Sequence, residues 1–245
     1  YVSAVYGLNI EKYDSIQFSA LPTPHLKINN AKLKNSFEAY ELNVKNLKIF
    51  PRLFSIYNYN NFQLKKMIVN DSKIMLKDTD LKNFVSSILN LNKKIIFSDL
   101  NIIILRNKKP LINLKQIFFS NYGYKKNQFT GEVFNQKFKI ILNEDYSEIN
   151  FKLLKSGIDM EIFLDEKKTN SITKGVVKSK FLNSRFKFNF DIDRNELKIS
   201  NSFFRSKELS FKNESLIKFK PFFDSISTFY IQDIDIKLIK KLDLN

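Results

Sequence analysis

The chain has 245 residues and carries 41 Lys and Arg against 25 Asp and Glu, a formal net charge of +16. It is 43% hydrophobic, with 25 Phe and 10 Tyr but only 5 Gly and 5 Pro, so it can bury a sizeable core and disorder is excluded as the default. Cysteine is absent, which rules out disulfides, thiolate metal sites and cysteine nucleophiles, and no run of ~18 apolar residues marks a transmembrane helix.

The basic residues are mostly lysine, since only five of the 41 are arginine. Nucleic-acid sites favour Arg, whose planar fork grips phosphate and bases. Abundant Lys, Asn, Ile and Phe with scarce Ala is the residue usage of an AT-rich genome. The plain reading of the charge is a solubilising Lys coat. The sharper one is attraction to an anionic lipid surface, worth about 1 kcal/mol per Lys held close to it. The start at Tyr1 rather than Met leads us to expect a fragment, with an anchor or signal ahead of it.

In chain order, the first marked stretch is LPTPHLKINNAKLK, residues 21–34. Two prolines flank Thr23, Leu26 and Ile28 alternate as in a strand, and Asn29-Asn30 makes a corner before Leu33. Pro51 suits the first turn of a helix and predicts a short one through Tyr57. Asp80 is a good N-cap, and Leu81, Phe84, Val85, Ile88 and Leu89 follow at helical spacing, which predicts an amphipathic helix over 80–91. A soft division falls near NYGYKKN, residues 121–127, but no Gly/Ser linker separates two globules.

From 127 to 213 period-two alternation predicts six or seven strands of an antiparallel meander with one apolar and one wet face. Phe138, Ile140 and Leu142 share one face of a strand. Ile149, Phe151 and Leu153 share the next, then Ile158, Met160, Ile162 and Leu164, then Phe186, Phe188, Phe190 and Ile192. NEDYS (143–147), KSG (155–157) and DEKKTN (165–170) read as the turns between them.

A corner pattern recurs as INNAKL (28–33), VNDSKI (69–74), FSDLNI (97–102) and IQDIDI (231–236). Its outer apolar residues are five apart and would face opposite sides of an unbroken strand. An Asn or Asp between them tolerates an irregular dihedral. The pattern therefore predicts a strand kinked by a bulge, or broken by a tight turn, with its apolar side kept inward.

Signals for chemistry are sparse. His25 is the sole histidine, so no paired-histidine metal site can form, and no G-x-S-x-G, Walker or dinucleotide glycine motif occurs. Beside the Pro-x-Pro, His25 reads as structural and partly exposed. The carboxylate pairs Asp78/Asp80, Asp191/Asp193 and Asp233/Asp235 could share a face and hold a hard cation, but solvated or capping roles fit their settings better. No catalytic residue, metal or cofactor is expected. The Phe runs lack interleaved Arg, which counts against nucleic-acid stacking. What remains is the apolar face, read either as a packed core or as a groove open to lipid. A sixteen-carbon acyl chain costs roughly 13 kcal/mol to expose to water at about 0.8 kcal/mol per methylene, so a groove lined with Phe, Ile and Leu would ease its passage across an aqueous gap.

The order of the pieces resembles the start of an AsmA-type envelope protein. YGLNIEKYDSIQFSALPTPHLKINNAKLK is similar to that family's first strand, Pro-rich step and following strand. AYELNVKNLKIFPRLFS (39–55) is similar to its strand and proline-started helical turn, and FQLKKMIVNDSKIMLKD (62–78) to its strand pair with a buried polar corner. The helix at 80–91 and IIFSDLNIIIL (95–105) continue the order, so the resemblance covers about residues 6–120. The missing anchor helix and the sparse glycine depart from the family. The resemblance implies a mainly β protein, an elongated, curved antiparallel sheet forming a half-pipe groove, with one or two short helices in its N-terminal half. It also implies a periplasmic protein anchored to the inner membrane, with phospholipids and outer-membrane components as partners. The candidate groove lining is then Phe138, Ile140, Leu142, Phe151, Leu153, Ile158, Met160, Ile162, Phe186, Phe188, Phe190 and Ile192. The rival expectations are a non-lipid assembly factor that uses strand edges and a basic nucleic-acid-binding protein.

Overall fold

A computed structural model describes residues 3, 6–35, 40–55, 63–91, 93–165, 172–220 and 222–235. The protein is mainly β, with sixteen strands and a short α-helix in the described residues. It divides into two compact units, Tyr1–Phe138 and Lys139–Asn245. Residues 121–127, where the sequence suggests a soft division, hold a 3-10 turn at Gly123–Lys125.

In the first unit, β1 (Leu8–Lys12) and β2 (Ser15–Ser19) both pair with the same edge of β3 (His25–Asn35). Next to β3 come, in order, β4 (Glu41–Pro51), β5 (Leu64–Lys77), β6 (Lys94–Arg106), β7 (Lys109–Ser120) and β8 (Gln128–Val133). The helix α1 (Leu81–Leu89) joins β5 to β6. A strand that returns through a helix crossover runs parallel to its predecessor. β5 and β6 do so, with Lys66 beside Lys94 and Lys77 beside Leu105, so the all-antiparallel expectation is corrected here. Phe84 and Ile88 of α1 are buried. Tyr40 meets Phe84 edge-on at 5.1 Å, and its Oη lies 3.2 Å from the Ser87 hydroxyl.

Several local expectations change. Pro51 is the last residue of β4 rather than the start of a helix. A 3-10 turn at Leu53–Ser55 follows it, and Tyr57 lies outside the described residues. Asp80 occupies the N-cap position but makes no side-chain cap bond. A 3-10 turn at Asp78–Asp80 feeds straight into α1, and this gives Asp80 a near-helical φ of −94° and ψ of −9° in place of the extended backbone a capping side chain needs. Residues 64–77 form one long strand, not a pair. His25 is buried rather than partly exposed. Its ring stacks on Phe50 at 4.9 Å, and its Nδ1 is 2.8 Å from the Thr23 carbonyl oxygen.

The corner pattern is a sheet-wide kink. Asn30, Asp71 and Asp99, the third residues of three copies, take left-handed φ of 50°, 50° and 58°. Ile28 and Leu33, Val69 and Ile74, and Phe97 and Ile102 are all buried, so each extra residue returns its flanks to the core side. A bulge confined to one strand would shift the register against its neighbour. Here Asn29 pairs with Asn46 and Ala31 with Val44, while Asn46 pairs with Asn70 and Val44 with Ser72. Asn30, Lys45 and Asp71 thus stand in one cross-strand row, and the register is kept. β4 has the same extra residue, with Lys45 in place of an Asn or Asp and without a left-handed φ. Gln116 of β7, at φ 51°, offsets Asp99. The copy at 231–236 differs: Asp233 has no left-handed backbone, the extra residue is Gln232, and Ile236 lies outside the described residues.

The second unit, among its described residues, consists of strands and turns. β9 (Gln136–Leu142) straddles the division. β10 (Glu148–Leu153), β11 (Ile158–Leu164), β12 (Thr173–Phe181), β13 (Ser184–Ile192), β14 (Glu196–Arg205), β15 (Leu209–Lys218) and β16 (Asp224–Ile234) then follow, each antiparallel to the one before it from β11 on. The 143–147 and 155–157 segments are turns, as the sequence predicts, and most of 165–170 lies outside the described residues.

Candidate functional site

The apolar positions of the second unit fall into cross-strand rows. Residues directly opposite one another share a sheet face. Phe151 faces Met160, Met160 faces Ser179, Ser179 faces Phe186, Phe186 faces Phe204, and Phe204 faces Phe211. A second row runs through Ile149, Ile162, Val177 and Phe188. A third joins Leu164, Gly175, Phe190 and Ile199. Ile192 heads a fourth with Leu197 and Ile217, and Leu153 faces Ile158. No charged side chain stands in these rows.

Nine of the twelve expected lining residues, Phe151 to Ile192, therefore lie together on one face. Ile140 and Leu142 are half-buried in the part of β9 that belongs to the second unit. Phe138 belongs to the first unit, where its ring lies against Gly131: a Cβ there would sit 3.1 Å from the ring.

Burial separates this face from the core of the first unit. Leu33, Leu47, Met67, Val69 and Ile95 of the first unit are all 0% exposed. Among the described residues of the second, Val177 and Phe190 are the large apolar ones that are buried, at 5% and 9%, and the other large apolar members of the rows are half-buried. Along the face the phenylalanine rings pack on one another. Phe186 lies 5.0 Å from Phe188 and 6.3 Å from Phe204, and Phe204 stacks on Phe211 at 4.8 Å. Phe211 meets Phe229 edge-on at 5.4 Å. Phe204 and Phe211 extend the row beyond the sequence-derived set, and Phe229, opposite Asn213, touches it diagonally; the alternation of LSFKNESLIK carried a signal for Phe211.

Two local devices support the rows. Phe190 lies over Gly175, where a Cβ would sit 2.9 Å from its ring and 2.3 Å from the Phe163 carbonyl oxygen. Where β14 kinks at Asn201, φ 49°, the ladder to β15 skips, and the buried Ser202 fills the gap. Its hydroxyl donates to the Asn213 carbonyl at 2.5 Å and accepts from the Asn213 N–H at 2.7 Å. Ser215 donates to Asn213 Oδ1 at 3.0 Å, so this polar patch is satisfied internally.

The carboxylate pairs are not brought together as a metal site, and among the described residues no group of three His, Cys, Asp or Glu could hold one. Asp78 takes a hydrogen bond from Arg106 Nε at 2.7 Å, and this guanidinium holds its carboxyl below the usual range. Asp191 pairs with Lys174 at 2.5 Å. Asp193 Oδ1 accepts the backbone N–H groups of Asn195 and Glu196, which lowers its pKa and closes the β13–β14 turn. No helix among the described residues is long and apolar enough to cross a membrane. No family model matches the chain, and no curated protein or solved structure matches it.

Proposed function

We propose that the apolar face of the second unit shelters lipid acyl chains, in an AsmA-like periplasmic protein anchored to the inner membrane that serves phospholipid transport between the inner and outer membranes and outer-membrane homeostasis. The observation that carries this is a face of aligned Phe, Ile, Leu and Met rows that stays half-buried while β4, β5 and the start of β6 in the first unit bury theirs almost fully. A core seeks full burial, whereas a lipid site has to remain reachable. The order of the pieces over residues 6–120 supports the family and the compartment. Curvature of this face into a groove is part of the proposal. The test is mass spectrometry of an organic extract of the purified protein, beside the Phe188→Asp variant. Co-purifying phospholipid that Phe188→Asp loses while still melting cooperatively is the expected result. A lipid-free wild type together with an unfolded variant would mean a closed core.

One observation favours a second reading, an assembly factor that works through strand edges. Every residue of β16 from Asp224 to Asp233 is exposed, including Ile226, Phe229, Tyr230 and Ile231. A long exposed strand carrying apolar side chains of this kind invites strand addition.

A further inference from the structure

On the other face of the second unit, Arg185 of β13 stands directly opposite Arg205 of β14. Like charges directly opposite on neighbouring strands repel, with Cβ atoms about 5 Å apart. Other cations of this face have found anions: Lys152 lies 2.8 Å from Asp159 and Lys174 2.5 Å from Asp191. Among the described residues neither Arg185 nor Arg205 has an ion pair or side-chain hydrogen bond. The chain has only five arginines and places two of them here, in a lysine-rich protein where charge alone could have come from Lys.

Two hollows meet at this pair. One, of about 440 Å³, is also lined by Lys178 and Lys187, with Phe203 in its wall. The other, of about 610 Å³, shares both arginines and Phe203 and adds Lys207. Asp159 and Glu161 line the first hollow and Asp233 the second, but Asp159 is held by Lys152 and Glu161 stands opposite Lys178. Cations therefore outnumber anions around the two guanidinium groups.

We infer that Arg185 and Arg205 form a clamp for a phosphate monoester, with Lys178, Lys187 and Lys207 as flanking charge. A guanidinium offers paired N–H donors that match two phosphate oxygens. Two forks converging on one dianion turn the repulsion between them into attraction. Arg185 neighbours Phe186 and Arg205 neighbours Phe204, so the clamp opens on the face opposite the apolar rows. It is therefore independent of the acyl-chain proposal.

The test uses the whole chain and three probes: inorganic phosphate, glycerol 3-phosphate, and phosphatidylcholine vesicles with or without phosphatidic acid. Calorimetry reads the soluble probes and co-sedimentation the vesicles. Arg185→Gln and Arg205→Gln should each weaken binding about tenfold or more, the loss of a charge-assisted hydrogen bond. Arg185→Lys should fail to restore it, because Lys lacks the fork, and Lys137→Gln should bind as wild type. Without phosphate the Arg→Gln variants should melt at or above the wild-type temperature, since a repulsion is relieved. Binding of the soluble probes assigns a free phosphate ligand, and binding confined to phosphatidic acid vesicles assigns a lipid headgroup. The inference is overturned if wild type binds none of the probes, if the Arg→Gln variants bind like Lys137→Gln, or if they melt well below wild type.

Discussion

Replacing Asp71 by Val should be more damaging than replacing it by Gly. Asp71 is the extra residue of β5, and beyond it Ser72, Ile74 and Leu76 are 2%, 1% and 1% exposed while Lys73, Met75 and Lys77 face water. A strand running straight through Asp71 would, by strict alternation, turn Lys73, Met75 and Lys77 inward and Ile74 and Leu76 outward, so the kink has to be kept. Losing the burial of two large aliphatic side chains costs roughly 3–6 kcal/mol, before two lysines are forced into the core. A domain typically has only about 5–15 kcal/mol in total. Asp71→Gly keeps the residue count. It relieves a left-handed non-glycine backbone, worth about 1–2 kcal/mol, and removes the Lys45–Asp71 pair at 3.0 Å, whose side chains are 67% and 49% exposed. Such an exposed pair is worth about 0–1 kcal/mol. The glycine variant should therefore lie within about 1–2 kcal/mol of wild type in urea melts, and Asp71→Val, whose branched side chain resists the left-handed backbone, should fall below the glycine variant by roughly 1–3 kcal/mol. A valine variant as stable as the glycine variant would refute the left-handed kink at Asp71 as the device that keeps the apolar side inward.

Gly175→Ala should destabilise the second unit by about 1–3 kcal/mol, because its Cβ meets the Phe163 carbonyl and the Phe190 ring; an unchanged urea midpoint would show that Phe190 is not seated there. Asp193 has a folded pKa below its unfolded value of about 3.9, so its contribution is complete above that value and is lost as pH falls through the folded one. The stability gap between wild type and Asp193→Ala, measured by urea melts at stepped pH, should narrow below about pH 4, and a gap that widens there would contradict the assignment. Replacing Lys65, Lys66, Lys93 and Lys94 together by Gln should leave binding to anionic vesicles nearly unchanged, and a large loss in co-sedimentation would make that coat a membrane contact.

The kink shows what the sequence could and could not say. Asn30, Asp71 and Asp99 were legible because Asn and Asp tolerate the left-handed backbone and stood between apolar residues five apart. Lys45 and Gln116 are extra residues without that marker. The signal for them was Val44 and Leu47, or Leu114 and Ile117, three apart instead of two. The strands of 127–213 were legible because alternation is local. The parallel β5–β6 pair was not, because strand direction follows from the crossover through α1, although the helix itself was plain in the spacing of Phe84 and Ile88. The lining set from Phe151 to Ile192 came from alternation as well. Its extension to Phe204, Phe211 and Phe229 depends on register across β13 to β16, which no single strand encodes. The Arg185–Arg205 pair is of the same kind: twenty residues separate the two in sequence, and only pairing sets them opposite.

The acyl-chain claim is tested most directly by a photo-crosslinking amino acid placed at Phe188, and in a second variant at Lys187, its neighbour on the opposite face. With phosphatidylcholine vesicles present, which carry no phosphate monoester for Lys187 and its neighbours to hold, irradiation followed by mass spectrometry should show a lipid adduct at position 188 and little or none at 187. Equal labelling at both positions, or no adduct at 188 in a protein that still melts cooperatively, would contradict it.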